Sequence, residues 1–338
     1  MNATLSRFLR NRRVAASSAL TLTALALALA GCGLQPATAF VPAAGPGSIK
    51  SIAGAEDKGV TVTGKNYTEA LILDKVAVLT MQAAGFPVTD LANVPGSQPV
   101  RNLMVSGVAD VAWDYTGTAW LIYMGHEKAP TDPQLLWQYV HDADLANGIT
   151  WLPRANMNNT YAMAVRRGAV TKLGNISKLS DIANLPVKDR TFCIEAEFNS
   201  RQDGMNGMLQ AYGIPRGTAD GVPDNNIGIY DTGAVYSATA RGSCNFGEVF
   251  TTDGRINALD LTVLKDDKSF FPSYNASINV RSETLDEFPG IADAFAPVTA
   301  ALSNDVMREL NAKVDVDGQQ PADVAFDWMV SKGFISKP

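Results

Sequence analysis

The chain has 338 residues, with 28 Lys and Arg against 34 Asp and Glu, a net charge of −6. That acidity argues against nucleic acid and against a basic membrane-docking face, while a small cation or zwitterion remains open as a partner. With two His and three Cys, and no CxxC, HExxH, GxSxG or GxxxxGKS pattern, no metal, cofactor or standard nucleophile is expected.

At the start of the chain Arg7, Arg10, Arg12 and Arg13 precede an apolar run over residues 14–30, which ends in LAGC at Cys32. This is the pattern of a secretory signal with a lipobox over residues 1–32. It predicts cleavage before Cys32, which then carries lipid and tethers the protein to the membrane on the extracytoplasmic side; a retained signal anchor is the alternative. Residues 33–58 are rich in Ala, Pro, Gly and Ser and read as a flexible tether. Loss of the signal leaves 24 basic against 34 acidic residues, a net of −10. The remaining stretch of about 280 residues suffices for two lobes with cores of ordinary size.

From Gly59 the sequence predicts a strand over residues 60–63, a polar loop of Gly64, Lys65 and Asn66, and a helix with apolar Leu71, Val76, Leu79 and Met81 that ends at Gly85. Such a loop presents backbone N–H groups at a helix N-terminus, where Lys65 adds a full charge. Simple capping by Asn66 or Thr68 is the plainer reading. A second unit follows: a helix over residues 98–106, a strand over 108–113, and a turn over 115–118. Alternating strands and helices predict an open α/β sheet with its crevice at the carboxyl ends of the strands. Tyr115 and Thr118 should then face a cleft, with Trp113, Trp120, Trp137 and Trp151 packed in cores.

Further on, residues 133–147 are amphipathic, and ITW leads through a loop to Tyr161. A helix is expected near 178–185, a strand over 190–198, the loop NSRQDG, and a helix over 205–212. A strand–helix–strand unit ends at Phe250 and TTDG. Asp266 and Asp267 read as a solvated turn, a strand returns around Tyr274, and the tail is mostly helical. Cys193 and Cys244 are an even pair in an exported chain, which suggests one disulfide; two buried free thiols are the alternative.

Taken in order, GKNYTEALIL, DYTGTAW, NNTYAMAV, EFNSRQDG, FTTDGRI and FFPSYNAS resemble the substrate-binding proteins of ABC importers for glycine betaine, choline, carnitine and related osmoprotectants. The resemblance covers essentially the whole mature chain. It implies an α/β, two-lobed type II periplasmic-binding-protein fold with two interlobe crossovers, residues 59–158 and 274–338 forming one lobe and 159–273 the other. It implies an aromatic box for a quaternary ammonium built from Tyr115, Tyr161, Phe250 and Tyr274, and a carboxylate clamp from Lys65, Thr118 and Arg201. Phe250 stands where the family commonly has Tyr, and Asn159 where many members carry Asp. The implied partners are the small ligand and the transmembrane permease subunits, with the protein itself a monomer and not an enzyme.

The chemistry is consistent with that assignment. A quaternary ammonium has no N–H to donate, so aromatic faces recognise it in place of carboxylates. A ligand carboxylate suits the planar fork of Arg, helped by Lys and a hydroxyl. Other readings remain beside it: Arg201 in an interdomain ion pair with Glu195, Glu197 or Asp203, Lys65 on the surface, Phe250 in ordinary packing. At the level of function the alternatives are a binding protein for another small zwitterion, such as an amino acid, and an extracellular enzyme, which would need a nucleophile with its base or paired acids in the cleft.

Overall fold

A computed structural model describes residues 40–338, so the signal segment, the lipobox and Cys32 lie outside the described residues. Two five-stranded mixed sheets carry the fold. The first has the order β2 (Val88–Val94), β1 (Val60–Lys65), β3 (Val111–Tyr115), β10 (Ala276–Arg281), β4 (Ile149–Trp151). In the second the order is β7 (Ile227–Tyr230), β6 (Phe192–Glu195), β8 (Phe246–Phe250), β5 (Tyr161–Arg166), β9 (Leu261–Val263). β1 runs parallel to β2 and β3, and β6 parallel to β7 and β8, whereas β10 and β5 run antiparallel to both their neighbours. The chain leaves the first sheet after β4 and returns to it after β9. The antiparallel strand of each sheet is therefore the one that follows a crossing, and the two crossings lie side by side, bridged at Asn158 and Asn275. This is the two-lobed α/β arrangement with two crossovers that the motifs imply.

The strands form where the sequence is β-branched and apolar, and β3 is buried along its whole length because helices cover both faces. Helix Thr68–Ala83 is buried almost all round from Ile72 to Met81, since it lies between the first sheet and the C-terminal helices Asn304–Asp315 and Pro321–Ser331. β3 starts three residues later than the sequence predicts. The N–H groups of Gly107, Val108 and Ala109 turn back to carbonyls of the preceding helix, and Gly107 takes φ 77°, so the chain cannot extend before Asp110. Similarly, the strand expected over 190–198 stops at Glu195, and Ala196–Ser200 winds into a helical turn.

Within the expected tether, residues 45–55 are docked on the fold. Gly45 pairs with Ser336 as an isolated antiparallel bridge, Ser48 and Ile49 donate to Gly333 and Phe334, and Ile49 and Ala55 are buried. A Cβ on Gly47 would lie 2.2 Å from the Phe334 carbonyl oxygen, so glycine is required for the approach. A composition of Ala, Gly and Pro reads as linker; here it also permits close docking on the C-terminus. In the second lobe Cys193 on β6 and Cys244 before β8 form a disulfide with Cα–Cα 5.8 Å, buried beside Val235 and Tyr236. Among the described residues no helix is long and apolar enough to cross a membrane.

Candidate functional site

The carboxyl edges of the two sheets face each other across one cavity. Lys65, Tyr115, Glu195 and Phe250 are the last residues of β1, β3, β6 and β8. Tyr161 opens β5 and Tyr274 lies two residues before β10; both strands run antiparallel, so their starts share that edge. Lys65, Tyr115, Thr118, Asn159, Tyr161, Arg201, Phe250 and Tyr274 all line this cavity. It is completed by Asn66, Tyr67, Gly96, Ser97, Glu195 and Glu197.

Tyr67 is the ring that the sequence reading missed. It occupies the N-cap of helix Thr68–Ala83 and makes no side-chain cap, while Thr68 turns away to donate to Asp315 at 2.6 Å. The capping explanation of GKNYTE thus fails, and the motif delivers an aromatic to the cavity. Tyr67 stacks on Phe250 at 5.3 Å between centroids and lies 6.4 Å from Tyr115. Tyr161 sits 5.2 Å from Phe250 and meets Tyr274 edge-on at 5.4 Å. Burial first of all holds the hydroxyls of Tyr67, Tyr115, Tyr161 and Tyr274 far above their ordinary titration range, so the rings stay neutral.

Both cationic residues already have acidic partners. Lys65 Nζ is 2.8 Å from Asp114 Oδ1 and 5.0 Å from the Tyr115 ring centroid. A register shift between Thr63 and Lys65 accompanies this placement, the extra residue falling in β2, where Asn93 takes φ 68°. Arg201 donates Nε and one terminal nitrogen to Asp203 at 2.8 and 2.5 Å, and the other terminal nitrogen to Glu197 at 3.2 Å. The ion pair considered as the plainer reading of Arg201 forms within one lobe and not between the lobes, and the same guanidinium still lines the cavity, 5.4 Å from the Tyr161 centroid. Burial opposes its charge, but its phenolic and acidic neighbours keep it protonated well above its ordinary value. Burial also works to raise the Glu197 carboxyl; Lys65, Ser97 and Arg201 outweigh it and hold that carboxyl below the usual range. Glu195 is pushed up by burial, only partly relieved by Thr232.

Asn159 takes part through its side chain as well as its backbone. Its Nδ2 donates to Glu69 Oε1 at 2.8 Å, while its Oδ1 accepts from Thr252 N at 3.3 Å. An Asp here would set two carboxylates within hydrogen-bond distance, which explains why the amide fits this chain. Thr118 is 4% exposed and ends the short helical turn Thr116–Thr118 that follows β3. Trp113 and Trp151 are buried as expected, but Trp120 is not core: it lies half-buried, stacked on His126 at 3.6 Å. Nor is Asp266 merely solvated, since it accepts from Tyr212 and from the N–H groups of Phe270 and Phe271.

With this geometry in view, residues 58–331 match the family described as the substrate binding domain of ABC-type glycine betaine transport system. The chain is 34% identical over 283 residues to the glycine-betaine-binding protein of Pseudomonas aeruginosa, covering 81% of this chain and 88% of that one. It is 28% identical over 280 residues to the ergothioneine transport permease/ergothioneine binding protein EgtU of Helicobacter pylori, covering 82% of this chain and 48% of that longer one. A solved glycine betaine/carnitine/choline ABC transporter structure superposes with a TM-score of 0.65 at 26% identity, covering 81% of this chain and 99% of the other.

Proposed function

Because this chain belongs to the family of substrate-binding domains of ABC-type glycine betaine transport systems, we propose that it captures a small quaternary ammonium solute outside the cytoplasm and hands it to the transmembrane subunits of an importer. The observation that carries this reading is the ring of aromatic faces. Tyr67, Tyr115, Tyr161, Phe250 and Tyr274 line one cavity between the two sheets, and a trimethylammonium group is attracted to each face by roughly 0.5 to 2 kcal/mol when water is excluded. An amino acid's ammonium would instead ask for several acceptors converging on its N–H groups.

In this reading residues 59–158 and 274–338 form one lobe and 159–273 the other, and the ligand's cationic head lies against the rings. A ligand carboxylate, where present, shares Lys65 and Arg201 with Asp114, Asp203 and Glu197, with Thr118 as a further donor. Lipidated Cys32 holds the protein, a monomer, at the membrane. Binding proceeds without turnover: the cavity contains two acids, but Glu195 is engaged by Thr232, and Glu197 by Ser97 and Arg201.

Calorimetry with glycine betaine, choline, carnitine, ergothioneine and a panel of amino acids tests the reading. We expect heat from at least one quaternary amine and none from primary-amine amino acids. Binding confined to amino acids, or chemical conversion of any bound ligand seen by NMR, overturns it.

A further inference from the structure

Glu69 lies in the first turn of helix Thr68–Ala83, where the helix dipole favours a negative charge, and it is only 2% exposed. Four donors fill its two oxygens. Oε1 accepts from the Tyr115 hydroxyl at 2.7 Å and Asn159 Nδ2 at 2.8 Å; Oε2 accepts from Thr252 Oγ1 at 2.5 Å and Asn311 Nδ2 at 3.1 Å. Tyr115 and Asn311 belong to the lobe of the first sheet, Asn159 to a crossing, and Thr252 to the loop that follows β8 in the second sheet.

That loop, residues 251–255, is seated on the opposite lobe by more than this one contact. Asn311 also donates to the Thr252 carbonyl at 2.9 Å, and Arg255 reaches Asp315 at 3.4 Å. A Cβ on Gly254 would lie 2.6 Å from Ala312 Cα, so the loop backbone rests directly on helix Asn304–Asp315. Phe250 stands only two residues ahead of Thr252. Wherever Thr252 is held, the Phe250 ring is held too.

We propose that Glu69 is a positioning residue that couples cavity shape to lobe contact: one carboxylate oxygen fixes the Tyr115 ring, the other clasps the Phe250-bearing loop of the opposite lobe. The proposal rests on the ligand-binding reading for its consequence, since a ligand held between Tyr115 and Phe250 escapes only when the clasp releases. A buried carboxylate that served packing alone would have no reason to draw its donors from both lobes.

The test uses the mature protein, with glycine betaine and choline as probes, and compares Thr252→Val, Glu69→Gln and wild type. Thr252→Val removes only the clasp; Glu69→Gln also turns an amide donor toward two existing donors. We expect stopped-flow dissociation to quicken about tenfold in Thr252→Val and further in Glu69→Gln, with association changed less than twofold. Hydrogen exchange of residues 251–255 without ligand should quicken in both variants. Combining Glu69→Gln with Thr252→Val should add little to Glu69→Gln alone. Unchanged dissociation and exchange in Thr252→Val, or additive losses in the double variant, overturn the proposal; if Glu69→Gln does not fold, Thr252→Val decides alone. Should wild type bind neither probe, the ligand reading fails, whereas the exchange measurement still decides the clasp.

Discussion

Tyr67 lies stacked on Phe250, with 21° between the ring planes, although Tyr67 follows β1 of the first sheet and Phe250 ends β8 of the second. Each lobe thus contributes one ring of the pair, and separating the lobes separates the rings. We expect Tyr67→Ala to weaken a quaternary amine by about 0.5 to 2 kcal/mol, and Tyr67→Phe to do so far less, because the π face carries the attraction. Titration calorimetry of both variants checks this; equal affinity in wild type and Tyr67→Ala would remove Tyr67 from the site.

Tyr115 behaves differently, because its hydroxyl is engaged. Tyr115→Ala should cost binding as a lost ring face does. Tyr115→Phe keeps the face but leaves Glu69 short of one donor in a buried place, so we expect a stability loss of about 1 to 3 kcal/mol with a smaller loss of affinity. Urea melts beside calorimetry separate the two effects. A Tyr115→Phe variant as stable as wild type would show that the bond to Glu69 contributes nothing net.

The alternation of strands and helices, the cleft at the strand ends and the placing of Lys65, Tyr115 and Thr118 at such ends were legible from local pattern and residue chemistry, whereas Asn159, Tyr161, Arg201, Phe250 and Tyr274 were legible only through the motifs that carry the family resemblance. Pairing across long separations was not. Nothing in GKNYTE announces that its Glu meets Thr252, 183 residues away, or Asn311, 242 residues away. Tyr67 could have been found: an aromatic between the loop and the first helical residue, beside a nominated Lys65, is the signal. The docking of residues 45–49 on the C-terminus was hidden because Gly- and Pro-rich composition reports freedom of the backbone, not where a particular glycine permits contact.

Cys193 and Cys244 close a loop of sequence separation 51, which on the chain-entropy model contributes about 4 kcal/mol. Mass spectrometry of unreduced peptides from exported protein should recover the linked pair, and reductant should lower Tm. Two free thiols in that material would remove the bond from the account.

Asp315 gives the fold a pH dependence. Burial pushes its carboxyl up to about 6 and nearby Asp253 adds to this, despite opposition from Arg255 and Thr68. The folded chain therefore holds this proton more tightly than the unfolded one. Its stabilising contribution is complete below the ordinary value of 3.8 and lost as pH rises through about 6. Replacing it by Asn should stabilise the protein relative to wild type by up to about 2 kcal/mol more at pH 7.5 than at pH 4, after allowance for solvent screening. Thermal melts of the pair at the two pH values measure the difference; the same gap at both would place the titration elsewhere.

In the proposed reading Arg201 decides how the site treats a carboxylate. Its guanidinium lies between Asp203 and Glu197, and the Tyr274 hydroxyl also donates to Asp203, so the local balance without Arg201 is negative. A ligand carboxylate approaching that balance would be repelled, and the charged hydrogen bonds it could take from Arg201 are worth about 1.5 to 3 kcal/mol each. Choline, which has a hydroxyl in place of the carboxylate, loses little from the same change, and its cation gains from two released acids. Arg201→Ala should therefore lower the affinity of glycine betaine relative to choline by roughly tenfold to a hundredfold. The ratio is the useful quantity, because a general loss of folded protein lowers both affinities together. Circular dichroism confirms the fold and competition calorimetry gives the ratio. If both ligands weaken by one factor while the protein stays folded, Arg201 serves Asp203 and Glu197 alone and takes no part in choosing the ligand.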